Sequence, residues 1–206
     1  MSQPVRRAQQ KALYCIGCEL GRKNMNRALM LGAVLSVAVS TASAQVFVVG
    51  GGLARECFDL AKSGNYLFRS ADQTCTRALQ EETMTRPNRA ATYVNRGVIR
   101  MREGDHEDAL DDYAKAIELQ PELGAAYLNM GAAHIYQKDF DLALEPLNKA
   151  IELETIDIFA AYYNRAIARE NTGDLPGAYN DFQKALELKP GWELAEKQLD
   201  RFTVRQ

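Results

Sequence analysis

Residues 90–121 read AATYVNRGVIRMREGDHEDALDDYAKAIELQP. Residues 124–155 read GAAYLNMGAAHIYQKDFDLALEPLNKAIELET, and residues 159–190 read FAAYYNRAIARENTGDLPGAYNDFQKALELKP. Laid against one another, the three lines put Tyr93, Tyr127 and Tyr162 in one column and Gly97, Gly131 and Ala166 in the next. Ala109, Ala143 and Ala178 form a third column, and Ala116, Ala150 and Ala185 a fourth. The first step, from 97 to 131, is 34 residues, and the second, from 131 to 166, is 35. Self-similarity at this period marks a stacked repeat architecture.

Within each line the apolar spacing is helical. Tyr93, Val94, Gly97, Val98 and Met101 fall on adjoining stripes, and Gly104-Asp105 then breaks the helix. Ala109, Leu110, Tyr113, Ala116, Ile117 and Leu119 supply a second apolar face. Gly97 and Ala109 let two antiparallel helices approach closely, while Tyr93 and Tyr113 fill the space on either side. One such hairpin buries too little to stand alone, so stability comes from stacking neighbours.

On these residues the lines resemble tetratricopeptide repeats (TPR), whose pattern runs aromatic, Leu-Gly or a substitute, aromatic, Ala, aromatic, closing Pro. The resemblance implies an all-α solenoid of helical hairpins, with three repeats over 90–123, 124–158 and 159–190. The chain departs from the pattern in two ways. Arg100, His134 and Arg169 stand where the family prefers an aromatic, and Thr155 replaces the closing Pro, with one extra residue near Ile156-Asp157.

Working outward, residues 191–206 read as a capping helix whose apolar face is Trp192, Leu194, Ala195, Leu199 and Phe202. Trp192 is expected to plug the core rather than stack on a ligand. On the other side, residues 45–89 comprise a lead-in, a degenerate hairpin over 53–80 and a linker. Cys57 and Cys75 fall on inward faces of its two helices. A disulfide between them is expected, with buried free thiols as the alternative. Closing an 18-residue separation is worth roughly 3 kcal/mol in the chain-entropy model.

Residues 1–44 read as an address rather than structure. Met25-Asn-Arg27 is a short basic segment, Ala28 to Val39 is apolar, and Ala42-Ser43-Ala44 matches the small-x-small site of a signal peptidase. Cleavage is expected after Ala44, with no stable membrane span afterwards. Met25 opens a signal of ordinary length, so residues 1–24 read as an extension ahead of the natural start. Cys15 and Cys18 in that extension form an isolated C-x-x-C without a second pair, and carry no metal or redox expectation.

The whole chain of 206 residues is 47% hydrophobic and 25% charged, the profile of a folded soluble domain. Its net charge is −2. Residues 1–44 hold six of the 25 basic residues and one of the 27 acidic ones, leaving a net of −7 on the remainder. An acidic chain is a poor match for nucleic acid or an anionic membrane. The layout resembles exported TPR proteins of Gram-negative bacteria, which implies a periplasmic or secreted location.

No catalytic or cofactor constellation stands out. His106 lies in a polar turn and is expected to be solvated, and His134 replaces a packing residue. Gly50-Gly51-Gly52 follows Val46-Phe47-Val48-Val49 but lacks the Lys-Ser/Thr ending of a phosphate loop, so it reads as a flexible lead-in. Asp108, Asp111 and Asp112 lie on a helix without calcium-loop spacing. No metal and no cofactor is expected, and the chain reads as non-enzymatic.

The candidate site is surface. Asn95, Asn129 and Asn164 recur at one place in each first helix, and a carboxamide offers both a donor and an acceptor. In peptide-binding TPR domains an Asn in this slot holds the backbone of an extended peptide, and the resemblance implies the same here. The alternative is a role in inter-repeat packing or capping. Val94, Leu128, Tyr163, Val98 and Ile167 are expected to line the groove. Because Val94, Leu128 and Tyr163 stand where a carboxylate clamp carries Lys, no such clamp is expected. Arg96, Arg100, Arg165 and Arg169 could anchor acidic groups of a partner, or pair with Asp111, Asp112 and Asp181 of their own repeats; the internal pairing is favoured. The expected partner is a protein or peptide segment.

Overall fold

The computed structural model describes residues 44–64 and 68–202. The expected signal segment, Cys15, Cys18 and the last four residues lie outside the described part. Among the described residues there are nine α-helices: α1 Leu53–Ser63, α2 Phe68–Glu81, α3 Arg86–Glu103, α4 His106–Leu119, α5 Gly124–Gln137, α6 Phe140–Glu152, α7 Ile158–Thr172, α8 Leu175–Leu188 and α9 Glu193–Leu199.

Each repeat is one antiparallel hairpin: α3 with α4, α5 with α6, α7 with α8. Successive hairpins stack through α4 on α5 and α6 on α7, and the first helices also touch, α3 with α5 and α5 with α7. The small-residue columns explain how closely each hairpin closes. A Cβ on Gly97 would lie 2.5 Å from Cε1 of Tyr113, and one on Gly131 would lie 2.4 Å from Cγ of Leu147. Those contacts are shorter than carbon atoms tolerate, so the hairpins close only on glycine there. The third repeat places Ala166 and Phe182 at the same 16-residue spacing.

First helices stop on a left-handed residue, which turns the chain back. Gly104 (φ 91°) and Gly173 (φ 93°) supply it in the outer repeats, and Lys138 (φ 67°) does so in the middle one. At the junction of repeats two and three, Glu154 is also left-handed. Thr155 is buried in place of the closing proline, and the extra residue Ile156 is 85% exposed. Its insertion is absorbed by looping the side chain outward.

α1 and α2 form the degenerate hairpin and pack on α3. Cys57 and Cys75 are joined by a disulfide with Cα atoms 4.9 Å apart, both fully buried. The start of α1 has no side-chain cap of its own. Instead the Glu82 carboxylate, at the end of α2, accepts from the N–H groups of Leu53 and Ala54. That carboxylate satisfies donors that a helix N-terminus otherwise leaves open.

The terminal helix is shorter than its apolar spacing implies: α9 has seven residues and ends at Leu199. Trp192 precedes it and is half-buried, its ring 5.1 Å from Phe159 and 4.8 Å from Tyr163. Trp192, which leads into the helix, thus joins Leu194, Ala195 and Leu199 in covering the last hairpin.

Candidate functional site: an asparagine-lined trough

Asn95 on α3, Asn129 on α5 and Asn164 on α7 are all buried. Two of them are occupied, and the occupant is the chain itself. Residues 44–49 run extended along the first helices, without regular secondary structure. The Ala44 N–H donates to Oδ1 of Asn129 (3.2 Å), and Nδ2 of Asn129 donates back to the Ala44 carbonyl (2.9 Å). Asn95 treats Val46 the same way, accepting from its N–H at 3.0 Å and donating to its carbonyl at 2.8 Å. Each carboxamide thus completes both backbone groups of one residue, a pairing that does not depend on that residue's side chain.

A third carboxamide repeats the device. Asn88 accepts from the Val49 N–H (3.3 Å) and donates to the Val49 carbonyl (2.7 Å). Asn88 was not part of the repeat-derived row, since no equivalent recurs in the other repeats. The signal was its spacing: Asn88 lies seven residues, about two turns, before Asn95 on the same helix. The segment itself also carried a sign, the alternation Ala44-x-Val46-x-Val48.

The segment's inward side chains are absorbed by the solenoid. Ala44 is 1% exposed and joins the cluster containing Leu128, Tyr163, Ala160 and Ala161. Val46 packs against three clusters, including the one that holds Val94. Val48 is buried with Ala54, Phe58, Ala78 and Ala91. The outward residues are wet: Phe47 is 57% exposed and Val49 72%. Phe47 leans edge-on to Phe58 at 5.4 Å, with the Arg55 guanidinium 4.8 Å from its centroid.

Asn164 differs. It is fully buried, and neither Oδ1 nor Nδ2 has a hydrogen-bond partner. An unpaired buried carboxamide costs about 1–3 kcal/mol for each group left unsatisfied.

The expected groove walls are covered: with residues 44–49 in place, Val94, Leu128, Tyr163, Val98 and Ile167 are buried to 2% exposure or less. Val94 and Leu128 belong to the clusters that Val46 and Ala44 complete. Val98 sits among Cys57, Ala61, Ala71 and Cys75, under the degenerate hairpin. Tyr163 faces Phe182 and Trp192.

The four arginines are engaged within the solenoid and are not open anchors. Arg96 grips Asp112 with two bonds of 2.9 and 2.7 Å, and Arg100 reaches the same carboxylate at 2.9 Å while its Nε donates to Asp72 at 2.8 Å. Arg165 grips Asp181 with bonds of 2.8 and 2.7 Å, and Arg169 adds one of 2.9 Å. Asp112 and Asp181 are buried, whereas Asp111 is exposed. Arg96 and Arg165 also reach Thr76 and Asn148, on the second helix of the preceding hairpin. Two Arg on one turn converging on one Asp thus lock three helices together. The middle repeat replaces the set with Met130, His134 and Pro146.

His106 is half-buried at the start of α4 and stacks on Tyr136 at 5.6 Å, rather than lying in a solvated turn. Burial lowers the His134 pKa, partly offset by the Asp139 carboxylate. Among the described residues no group of three or more His, Cys, Asp or Glu could hold a metal ion, and no helix is long and apolar enough to cross a membrane.

Comparison with known proteins gives the same architecture. Tetratricopeptide repeat models match residues 88–154 and 159–192. No curated protein sequence matches the chain. Among solved structures, the first TPR of Spaghetti (RPAP3) bound to the HSP90 peptide SRMEEVD is similar at 26% identity and TM-score 0.53, covering 55% of this chain and 90% of that one. The second TPR domain of human RPAP3, in complex with the HSP70 peptide SGPTIEEVD, is similar at 27% identity and TM-score 0.51, covering 54% and 92%. MamA 41-end from Desulfovibrio magneticus RS-1 aligns over 72% of this chain and 82% of its own at TM-score 0.60; at 20% identity it shares the fold alone. With repeat models matching residues 88–154 and 159–192, and eight of the nine described helices paired as stacked hairpins, the chain is a tetratricopeptide repeat protein.

Proposed function

We propose that the protein is a non-enzymatic adaptor that holds an extended protein segment along its first helices, and that it works after export, cut behind Ala44, within a cell-envelope assembly. One observation carries the reading: Asn88, Asn95 and Asn129 each bond both backbone groups of one residue in the chain's own residues 44–49. A trough that reads backbone in this way takes an extended segment of many sequences. The peptide-bound RPAP3 domains, similar at 26–27% identity, lend support from outside the chain. The net charge of −7 on residues 45–206 suits an exported protein partner better than nucleic acid.

A second reading is an assembly component that makes its contacts through outer helix faces, where Leu142 and Leu175 stand exposed. Crosslinking and capture from periplasmic extract separates the two, with residues 45–206 as bait and the folded Asn129→Ala/Asn164→Ala variant as control. A prey taken by the native chain and lost by the variant supports the adaptor. A prey held equally by both moves the site to an outer face.

A further inference from the structure

The trough is divided at Ala44, and the division coincides with the expected cut. Asn129 spends both of its groups on Ala44, the last residue of the segment to be removed. Asn95 and Asn88 spend theirs on Val46 and Val49, which the cut leaves in place. Asn164, one repeat further on, is buried with both groups unpaired. Cutting behind Ala44 therefore yields two adjacent buried carboxamides with nothing on them, beside a trough whose other half stays filled.

We propose that, in the cut chain, Asn129 and Asn164 form a two-slot subsite for an extended protein segment that carries an alanine-sized side chain at the Asn129 slot. The polarity and register are set by the occupant in hand. Ala44 lies on Asn129 and Val46 on Asn95, so the chain advances two residues per repeat, running from the second repeat toward the first. The incoming residue on Asn164 is thus two positions before the one on Asn129. The Asn129 slot takes a small side chain because Ala44 is 1% exposed there, enclosed in the cluster with Leu128, Ala160 and Ala161. In the uncut chain, Ala44 is the competitor, present at the high effective concentration of a tethered ligand.

The proposal takes its trigger from the export reading above, and the two are tested apart. The intact mass of the protein recovered from the periplasm reports whether its first residue is Gln45. The subsite is tested on residues 45–206, which contain all nine described helices and the disulfide. The probe is a labelled, C-terminally amidated peptide Val-Ser-Thr-Ala-Ser-Ala, read by fluorescence anisotropy. The cut chain is expected to bind at least about tenfold more tightly than residues 1–206, and Asn164→Ala to weaken binding by about tenfold. Leu at the last peptide position is expected to abolish it. N-methylation of the fourth residue, which removes the N–H offered to Asn164, is expected to weaken binding as much as the Asn164 variant does, with the protein itself unaltered. Equal binding by cut and uncut chains, indifference to the N-methyl group, or acceptance of Leu overturns the subsite, whatever the mass shows. A first residue other than Gln45 overturns the trigger alone.

Discussion

At the residue scale, Asp112 holds the greatest leverage. Its buried carboxylate is shared by Arg96 and Arg100, and no other acid on α4 can replace it, since Asp108 and Asp111 are exposed. Removing one member of a buried ionic set strands the others in a poorly hydrated site. Asp112→Ala is expected to cost about 3–5 kcal/mol in urea unfolding. Asp111→Ala, one residue away but solvated, is expected to stay within about 0.5 kcal/mol. The converging Arg pairs were legible in the sequence as i,i+4 neighbours, and so was the pairing with the acids of their own repeats. What spacing alone did not distinguish was Asp111 from Asp112, because one step of about 100° along a helix decides which carboxylate faces inward.

At the scale of the element, the first helices end at equivalent places on unequal residues. Gly104 and Gly173 take the left-handed conformation freely, whereas Lys138 holds it with a Cβ. Lys138→Gly is expected to raise stability by about 1 kcal/mol, visible as a higher Tm, because the relief in the native turn exceeds the added freedom of the unfolded chain. The same substitution logic fails at Gly97 and Gly131, where any side chain would collide with Tyr113 or Leu147 of the partner helix. The repeats were readable because these small residues recur in register. The final helix was not, since its apolar spacing continues beyond the point where α9 ends, and its expected plug, Trp192, acts from the preceding turn.

For the whole molecule, a stack of hairpins is held by nearest neighbours, so local losses stay local. The disulfide ties α1 to α2 at one end of that stack. Replacing both Cys57 and Cys75 with Ser is expected to cost the terminal hairpin about 2–4 kcal/mol. Hydrogen exchange is expected to speed up over residues 53–81 while α5 to α8 keep their protection; a uniform loss along the chain would show that the array unfolds as one unit. The repeats, the two-cysteine hairpin and the Asn column all carry local signatures. The self-occupied trough carries only the short alternation Ala44-x-Val46-x-Val48, because the contacts of Ala44 with Asn129 and Val46 with Asn95 span 85 and 49 residues and no local pattern names their partners.

The bidentate carboxamides also bear on how such a contact would evolve. Each one touches the part of its occupant that every residue except proline shares, and Phe47 and Val49 point away into water. A partner's code would accordingly be written in every other letter, with the intervening letters free to drift. Divergent partners could keep the contact with little visible kinship, provided that proline stays out of the gripped positions and the enclosed ones stay small.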